Sequence, residues 1–249
     1  MSKTDSEDMV LALADAPIDP RTGNKVLYSA SWKATNHSMI GELNPDWVRR
    51  ELDWFMSGSN KLSDMEGPVP KLFQACAGID GKVNSAYGHI LFSNELKYPY
   101  LGIPLFDRVV NTFVNEGAST RHAVAIITDR DVHQLATYNE RKDFICTNAL
   151  NFMIDSDQKL HIIAQMRSMD AVFGYRADYS MWDALMEYLL GNLEMVFPDL
   201  TRGDITFQVA NLHVYPRHFD LLTQWADKIY DAQETEMRGI WAKNKAVRS

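Results

Sequence analysis

Three strand-like runs lie close together in the second half of the chain and most constrain its fold. HAVAIIT covers residues 122–128, FICTNALNFMI covers 144–154 and KLHIIAQMRSM covers 159–169. A long helix with an apolar stripe is predicted for 179–197, another strand for 204–214 and a terminal helix for 219–243. Strands and helices in this mixture, without an internal repeat, predict a single α/β domain over residues 1–249.

The first half of the chain has fewer regular elements. Residues 25–35 are rich in β-formers and predict a strand. A helix is predicted to begin at Asn44-Pro45-Asp46 and to end before Gly58, and another to cover 105–114. Residues 59–88 are expected to form loops and short pieces. The polar residues 1–18 are expected to form a loosely ordered N-terminal arm.

Composition limits the class of protein. The chain has 249 residues, 46% of them hydrophobic, which is enough for a sizeable core. It contains no apolar stretch of about 18 residues, no signal-like N-terminus and only two cysteines, so we expect a reduced cytoplasmic protein without a membrane segment. The net charge of −8 argues against direct nucleic-acid binding but permits a small anionic ligand.

Cys146, in DFICTNALNF, is a candidate nucleophile inside a strand-like run. A free cysteine is most often a small buried hydrophobe, and a reactive thiol requires access and a lowered pKa. Cys76, in LFQACAG, has no polar neighbours in sequence and is expected to be an ordinary apolar residue. The spacing of residues alone does not decide whether Cys146 is a nucleophile or a small buried apolar residue.

Polar residues near the later strands are candidate ligands for a phosphate or a sugar. Arg167 and Ser168 combine a guanidinium group with a hydroxyl, as suits a phosphate. His213 and Tyr215 alternate along a strand and should point to one face. Further candidates stand at turns or strand ends, where each could equally be a surface charge: Arg21, Arg121, Asp170 and Asp178.

Seven segments together resemble the thymidylate synthase superfamily and, within it, the deoxycytidylate hydroxymethylases of T-even-type bacteriophages. In chain order they are PRTG (20–23), RELDWF (50–55), VNSAYG (83–88), STRH (119–122), DFICTN (143–148), MRSMDAVFGYRADY (166–179) and LHVYPRHF (212–219). The resemblance implies a mixed β-sheet with packed helices. It also implies a homodimer that uses a sheet face as its interface and shares its phosphate site between subunits.

The resemblance further implies a role for each residue that matches a motif. Cys146 becomes the nucleophile, Glu51 the glutamate that organises water and protons, and Asp178 the reader of the base. The implied binding residues fall into four groups: phosphate ligands from the same subunit, Arg21, Arg167 and Ser168; phosphate ligands from the other subunit, Arg121 and His122; ligands of the deoxyribose 3′-hydroxyl, His213 and Tyr215; and folate contacts, Asp170, Phe73 and Tyr87.

The chain departs from the synthase pattern at three places. His122 stands where the synthases have the second of two adjacent arginines. Ile145 and Thr147 flank the cysteine where the synthases usually have proline and histidine, as fits the hydroxymethylase branch better. The C-terminal AKNKAVRS does not match the segment that covers the folate in the synthases.

The activity implied by the resemblance is hydroxymethylation of dCMP with 5,10-methylenetetrahydrofolate as one-carbon donor and without a metal. A thiolate adds to carbon 6 of the pyrimidine and carbon 5 then takes up the one-carbon unit. Water, activated by Glu51, completes a hydroxymethyl group where a synthase would add hydride. The resemblance also places the protein in the cytoplasm of an infected bacterium.

The base is expected to be chosen at Asp178. Synthases have an asparagine there, which matches uracil, whereas a carboxyl group that carries a proton can pair with the N3 and amino group of cytosine. Three alternatives stay open: a hydroxymethylase acting on dUMP, one acting on ribo-CMP, and a nucleotide-binding relative without catalytic activity.

Overall fold

The computed structural model describes residues 5–93, 102–128 and 141–246, with side chains described up to residue 236. The described helices are α1 Ser6–Asp15, α2 Pro45–Met56, α3 Lys71–Cys76, α4 Tyr87–Phe92, α5 Leu105–Glu116, α6 Gly174–Leu193 and α7 Phe219–Ala246. The strands are β1 Lys25–Lys33, β2 Val124–Ile126, β3 Thr147–Ile154, β4 Lys159–Met166, β5 Met169–Asp170 and β6 Thr201–Val214. Short 3-10 helices cover Leu62–Asp64 and Pro216–His218.

The strands form one six-stranded sheet in the order β1-β6-β4-β3-β2, and β5 pairs with β6 beyond the end of β4. β6 is parallel to β4 and β5 and antiparallel to β1, while β3 is antiparallel to β4 and β2. The predicted mixed α/β sheet with packed helices is therefore confirmed.

One face of the sheet forms the floor of the main core. Alternate residues of β4, such as Leu160, Ile162 and Ala164, are fully buried. Helix α6 packs over them with Trp182, Leu185 and Leu189, each of which is also fully buried. Burial of side chains of this size stabilises the fold by about 1.5–3 kcal/mol each, so α6 is held firmly against the sheet.

The N-terminal segment is not a loose arm, and this expectation is wrong for Ser6–Asp15. Asp5 caps helix α1 through a capping box, in which its side chain accepts from backbone N–H groups and Asp8 bonds back to the Asp5 N–H. Met9, Val10 and Leu13 of this helix enter the main core. Their spacing is helical, and the polar first turn concealed it.

Four elements also differ from prediction in their bounds. The 144–154 run becomes a strand only at Thr147, so Cys146 lies just before β3. The 159–169 run is interrupted at Arg167 and Ser168, between β4 and β5. Helix α6 begins at Gly174 instead of 179, and β2 is only three residues long. Because of the first two differences, Cys146, Arg167 and Ser168 lie outside the strands.

A small second core lies beside the main one and was not predicted. It contains Trp54 of α2 together with Leu62, Met65, Val83 and Ala86 from the irregular stretch between α2 and α4. This stretch rejoins the main fold at α4, where Gly88 meets α2 so closely that a Cβ atom would overlap the carbonyl oxygen of Phe55. A glycine is therefore required at the α2–α4 contact.

Candidate active site

A cavity of about 620 Å³ opens between the sheet end, α6 and the second core. This volume is in the range of pockets that bind small molecules. Its lining includes ten of the thirteen predicted site residues: Glu51, Phe73, Tyr87, Cys146, Arg167, Ser168, Asp170, Asp178, His213 and Tyr215.

Cys146 is positioned by its pairing with the end of β4. The Arg167 N–H donates to the Cys146 carbonyl at 2.9 Å, which holds the two residues side by side. The Arg167 side chain then donates from Nε to the Ile145 carbonyl (2.9 Å) and from Nη2 to the Phe144 carbonyl (2.7 Å). The side-chain bonds explain why Phe144 and Ile145 do not continue β3, because their carbonyls accept from the guanidinium group.

The loop before Cys146 is also docked on the segment that leads to α4. Asp143 is buried, and its Oδ2 accepts from both the backbone N–H and the hydroxyl of Ser85, at 2.8 and 2.9 Å. The Asn84 amide donates to the Asp143 carbonyl at 3.1 Å, and Arg141 donates to the Asn84 oxygen at 2.8 Å. The loop that carries Cys146 is therefore fixed on both sides.

The pKa of the Cys146 thiol is not lowered in this structure, contrary to expectation. Burial raises it to about 11, and the charges of Asp178, Asp143 and Cys76 add to this. Arg167 acts in the predicted direction but is outweighed. A neutral Asp178 would remove one of the opposing charges, so the protonation state of that carboxyl group bears on the nucleophile.

Glu51 and Asp178 form a buried carboxyl pair on the facing helices α2 and α6. Burial raises the pKa of Glu51 to about 7, partly offset by a hydrogen bond from Trp47. Burial and then the charge of Glu51 raise the pKa of Asp178 well above its usual range. Both shifts favour the protonated forms, and the pKa of Glu51 lies where it can exchange a proton near neutral pH.

Glu51 also has an unsatisfied acceptor. Its Oε2 is buried without a hydrogen-bond partner in the described part of the chain. Such an atom is costly unless something in the cavity donates to it. The arrangement suits a carboxylate that receives a proton from a bound water or substrate.

Tyr87 lies under the cavity between these groups. Its ring packs against Trp182 at 5.2 Å, and its hydroxyl accepts from the Thr147 N–H at 3.4 Å. Burial, followed by the charges of Asp178 and Cys146, raises the pKa of its hydroxyl well above 10. Tyr87 is therefore an uncharged hydrogen-bond donor close to Cys146. The sequence prediction gave it only a folate contact and did not place it beside this cysteine.

His213 and Tyr215 point to one side, as their alternation predicted. Their rings meet edge to face at 4.9 Å. Burial lowers the pKa of His213, and its Nδ1 lies 3.0 Å from the side-chain oxygen of Asn211. Nδ1 therefore carries the proton, and Nε2 remains as an acceptor that a hydroxyl group can use.

The wall between β5 and the second core offers an apolar surface with one carboxylate. Asp170 pairs with His213 in the sheet and accepts from the N–H groups of Val172 and Phe173 at the start of α6. Across the cavity, Phe73 is half-buried and Leu72 is 71% exposed. A flat, partly polar ring system fits such a wall.

Three predicted residues lie away from the cavity lining. Arg21 donates from Nε and Nη2 to the carboxylate of Asp19 at 3.0 and 2.9 Å. Arg121 and His122 are exposed between α5 and β2, and His122 Nδ1 lies 2.8 Å from Glu116. The last two were expected to serve the other subunit, so a single chain does not test that role.

The cavity contains residues that sequence reasoning missed. Asp143 was not singled out, although it stands three residues before Cys146 in a quoted motif. Cys76, which was expected to be an ordinary apolar residue, lines the cavity, where burial and the charge of Asp143 raise the pKa of its thiol. Arg217 also lines the cavity and continues the 213, 215 alternation, which was the available signal.

Among the described residues, no group of three or more His, Cys, Asp or Glu side chains is arranged to hold a metal ion. None of the helices in the described ranges is long and apolar enough to span a bilayer.

Comparisons with known proteins agree with the motifs. A family model described as thymidylate synthase matches residues 40–240. Deoxycytidylate 5-hydroxymethyltransferase of enterobacteria phage T6 is 31% identical over 209 residues, and that of phage T4 is 32% identical over 211 residues. Each match covers 82% of both chains, which confirms the resemblance inferred from the motifs.

Solved structures support the fold. A thermostable thymidylate synthase A from Bacillus subtilis gives a TM-score of 0.67 at 18% identity, covering 89% of this chain and 82% of that one. Thymidylate synthase from T4 phage gives a TM-score of 0.63 at 16% identity, covering 86% and 77%. With the family model matching most of the sequence, the chain belongs to the thymidylate synthase family.

Proposed function

We propose that this protein is a deoxycytidylate 5-hydroxymethyltransferase, which converts dCMP to 5-hydroxymethyl-dCMP. The observation that carries the proposal is the convergence of Cys146, Glu51 and Asp178 in one cavity. The names of the phage relatives support dCMP as the substrate.

Cys146 is the nucleophile in this proposal. Its sulfur forms a bond to carbon 6 of the pyrimidine, the thiol proton leaves, and the electrons of the 5,6 double bond move toward carbon 5. Arg167 favours the thiolate by its charge and fixes the loop through two backbone carbonyls. Because burial holds the thiol protonated, loss of its proton accompanies substrate binding or addition.

Asp178 selects the base as a neutral carboxyl group. Its O–H donates to N3 of cytosine while its carbonyl oxygen accepts from the 4-amino group. The raised pKa of Asp178 supports this protonation state. Donation to N3 also draws electrons from carbon 6 and so assists attack by Cys146. Uracil, with a donor at N3 and an acceptor at O4, would present the opposite pattern.

Glu51 activates the water that completes the hydroxymethyl group. A pKa of about 7 allows it to take a proton from water near neutral pH. Its unsatisfied buried oxygen provides the acceptor. No hydride is required, because addition of water to the transferred methylene leaves the carbon at the same oxidation level.

The remaining part of the cavity fits a reduced folate. Asp170 offers a carboxylate to a pterin ring, and Phe73 and Leu72 offer apolar contact to an aromatic linker. When bound, 5,10-methylenetetrahydrofolate supplies the one-carbon unit. The protein's own part is to hold both ring systems against the sheet end and to exclude bulk water.

We also propose that the protein acts as a homodimer. The outer face of the sheet carries large exposed side chains, including Ile126 (58% exposed) and Met153 (44% exposed). Arg121 and His122 lie outside the chain's own cavity lining, as residues that complete a partner's phosphate site would. Light scattering of the purified protein tests this, and a monomer at micromolar concentration would contradict it.

The experiment that tests the activity is incubation with methylenetetrahydrofolate and, separately, dCMP, dUMP or CMP. A mass gain of roughly 30 units on dCMP alone is expected, since CH2O is added. A gain of roughly 14 units would indicate reductive methylation. Preference for dUMP or CMP would overturn the choice of substrate, and binding of dCMP without release of tritium from carbon 5 would indicate a non-catalytic protein.

A further inference from the structure

The cavity contains a cation for which the proposed mechanism has no use. Arg217 follows the His213 and Tyr215 pair, is exposed and lines the cavity. We propose that Arg217 is a further ligand of the nucleotide phosphate, contributed by the same chain that contributes Cys146. This inference rests on the proposed nucleotide substrate.

The position of Arg217 fits a phosphate that is attached to a bound deoxyribose. Its guanidinium carbon lies 4.5 Å from the centre of the Tyr215 ring, which in turn contacts His213. The preceding residue, Pro216, lies against the turn that carries Arg21 and Gly23. Its Cγ atom is 3.6 Å from the position that a Cβ atom on Gly23 would occupy. The segment that presents Arg217 therefore joins the predicted sugar ligands to the predicted phosphate turn.

Arg217 is less committed to other groups than three of the candidate cations. Arg21 forms an ion pair with Asp19, and His122 lies in contact with Glu116. Arg167 donates from two of its side-chain nitrogens to backbone carbonyls. Arg217 makes no ion pair with a carboxylate within the described ranges. It can therefore bind a phosphate without first breaking an ion pair.

The contact with Tyr215 orients the guanidinium group. Stacking on an aromatic ring uses the flat face of the group and leaves its N–H edge free for two parallel hydrogen bonds to phosphate oxygens. Burial and, to a smaller extent, the charge of Arg167 lower the pKa of His213, so Arg167 also lies near the pair formed by His213 and Tyr215. Arg167 and Arg217 line the same cavity as these predicted sugar ligands.

Three cationic side chains line the cavity, Lys142, Arg167 and Arg217. Lys142 follows Arg141 in the nucleophile loop and provides a matched control, since its removal also takes one positive charge from the cavity. A specific phosphate contact and a general electrostatic effect can therefore be separated.

The test measures binding of dCMP and of deoxycytidine by calorimetry for wild type, Arg217→Gln, Arg217→Lys and Lys142→Gln. We expect Arg217→Gln to weaken dCMP binding by about 10- to 100-fold, the range for a charge-assisted pair. Deoxycytidine binding should stay the same, because it lacks the phosphate. Arg217→Lys should recover part of the loss, and Lys142→Gln should change dCMP affinity much less.

Several results would overturn the inference. Equal loss for dCMP and deoxycytidine would show that Arg217 supports the sugar or the fold, and an equal loss in Lys142→Gln would show a general effect of charge. Unchanged dCMP affinity in Arg217→Gln would show that Arg217 does not bind the phosphate. If the wild type prefers dUMP, the substrate proposal fails separately, and the same comparison is made with dUMP and deoxyuridine, which differ by the same phosphate.

Discussion

The base end of the cavity and its phosphate end are built in different ways. At the base end, Glu51 and Asp178 are buried on two packed helices, and the Cys146 loop is fixed by Arg167 and Asp143. The predicted phosphate ligands Arg21, Arg121 and His122, by contrast, are exposed and lie outside the cavity lining. For the proposed function this difference means that the groups assigned to the chemistry are held in place within one chain, whereas these phosphate ligands would have to turn toward the cavity or come from a partner subunit.

The largest expected effect is at the nucleophile. Cys146→Ser should lower kcat by about 1,000-fold or more, because a hydroxyl group is a far weaker nucleophile than a thiolate. Its dCMP affinity should change little, as measured by calorimetry. Cys76→Ser is the matched control and should retain most of its turnover; equal loss in both variants would show that Cys146 is not special.

The next effect is at Glu51. Glu51→Gln should lower formation of hydroxymethyl product by about 100-fold, the lower range for loss of a general base. Release of tritium from carbon 5 should fall less, since that proton is lost before water adds. Parallel loss of both signals would place Glu51 at an earlier step.

The same variant has a pH signature. Because the pKa of Glu51 is raised from 4.5 to about 7, the folded state holds a proton that the unfolded state releases in this window, and stability falls as pH rises. The full shift corresponds to about 3 kcal/mol. Glu51→Gln should flatten this decline in denaturant titrations between about pH 5 and 8, and an unchanged slope would contradict the raised pKa.

A smaller effect is expected at the base reader. Asp178→Asn should shift selectivity from dCMP toward dUMP by about 5- to 150-fold, the range for leaving a buried polar group unpaired. The ratio of kcat/KM for the two nucleotides measures it. An unchanged ratio would mean that the base is read by other residues.

The smallest effect is expected at the phosphate end. Asp19→Asn removes the partner of Arg21 and should tighten dCMP binding by about 2- to 5-fold, because an exposed ion pair is weak. Arg21→Gln should act in the opposite direction. If Asp19→Asn instead weakens dCMP binding, Arg21 is not a phosphate ligand. That result would sharpen the contrast between the base end and the phosphate end.

Much of the fold could be predicted because its apolar spacing is regular. The strand at Lys25–Lys33 and the helix that begins at Pro45 were predicted closely, since Asn44 and Gly58 mark the ends of the helix. Helix α1 was missed because its polar first turn hides the apolar positions. The early start of α6 was missed because Gly174, Arg176 and Asp178 are residue types typical of a turn. In the structure Asp178 is buried by tertiary packing, which the sequence alone does not show.

The motifs singled out Cys146, Asp178 and His213, which the structure brings to one cavity. The motifs could not give the raised pKa of Cys146, because burial and the charges of Asp178 and Cys76 depend on contacts between distant segments. Nor could they show that Arg21 pairs with Asp19, a local choice of side-chain conformation.

The glycine at the α2–α4 contact has a consequence for how this enzyme can be altered. Gly88 lets the two helices approach until backbone meets backbone, and Tyr87 and Glu51 occupy those same helices. One added methyl group would wedge them apart and carry the phenol away from the carboxyl group. The absence of a Cβ atom at Gly88 thus sets the spacing between the helices that carry Tyr87 and Glu51. Redesign of the pocket must therefore leave Gly88 unchanged and alter other residues.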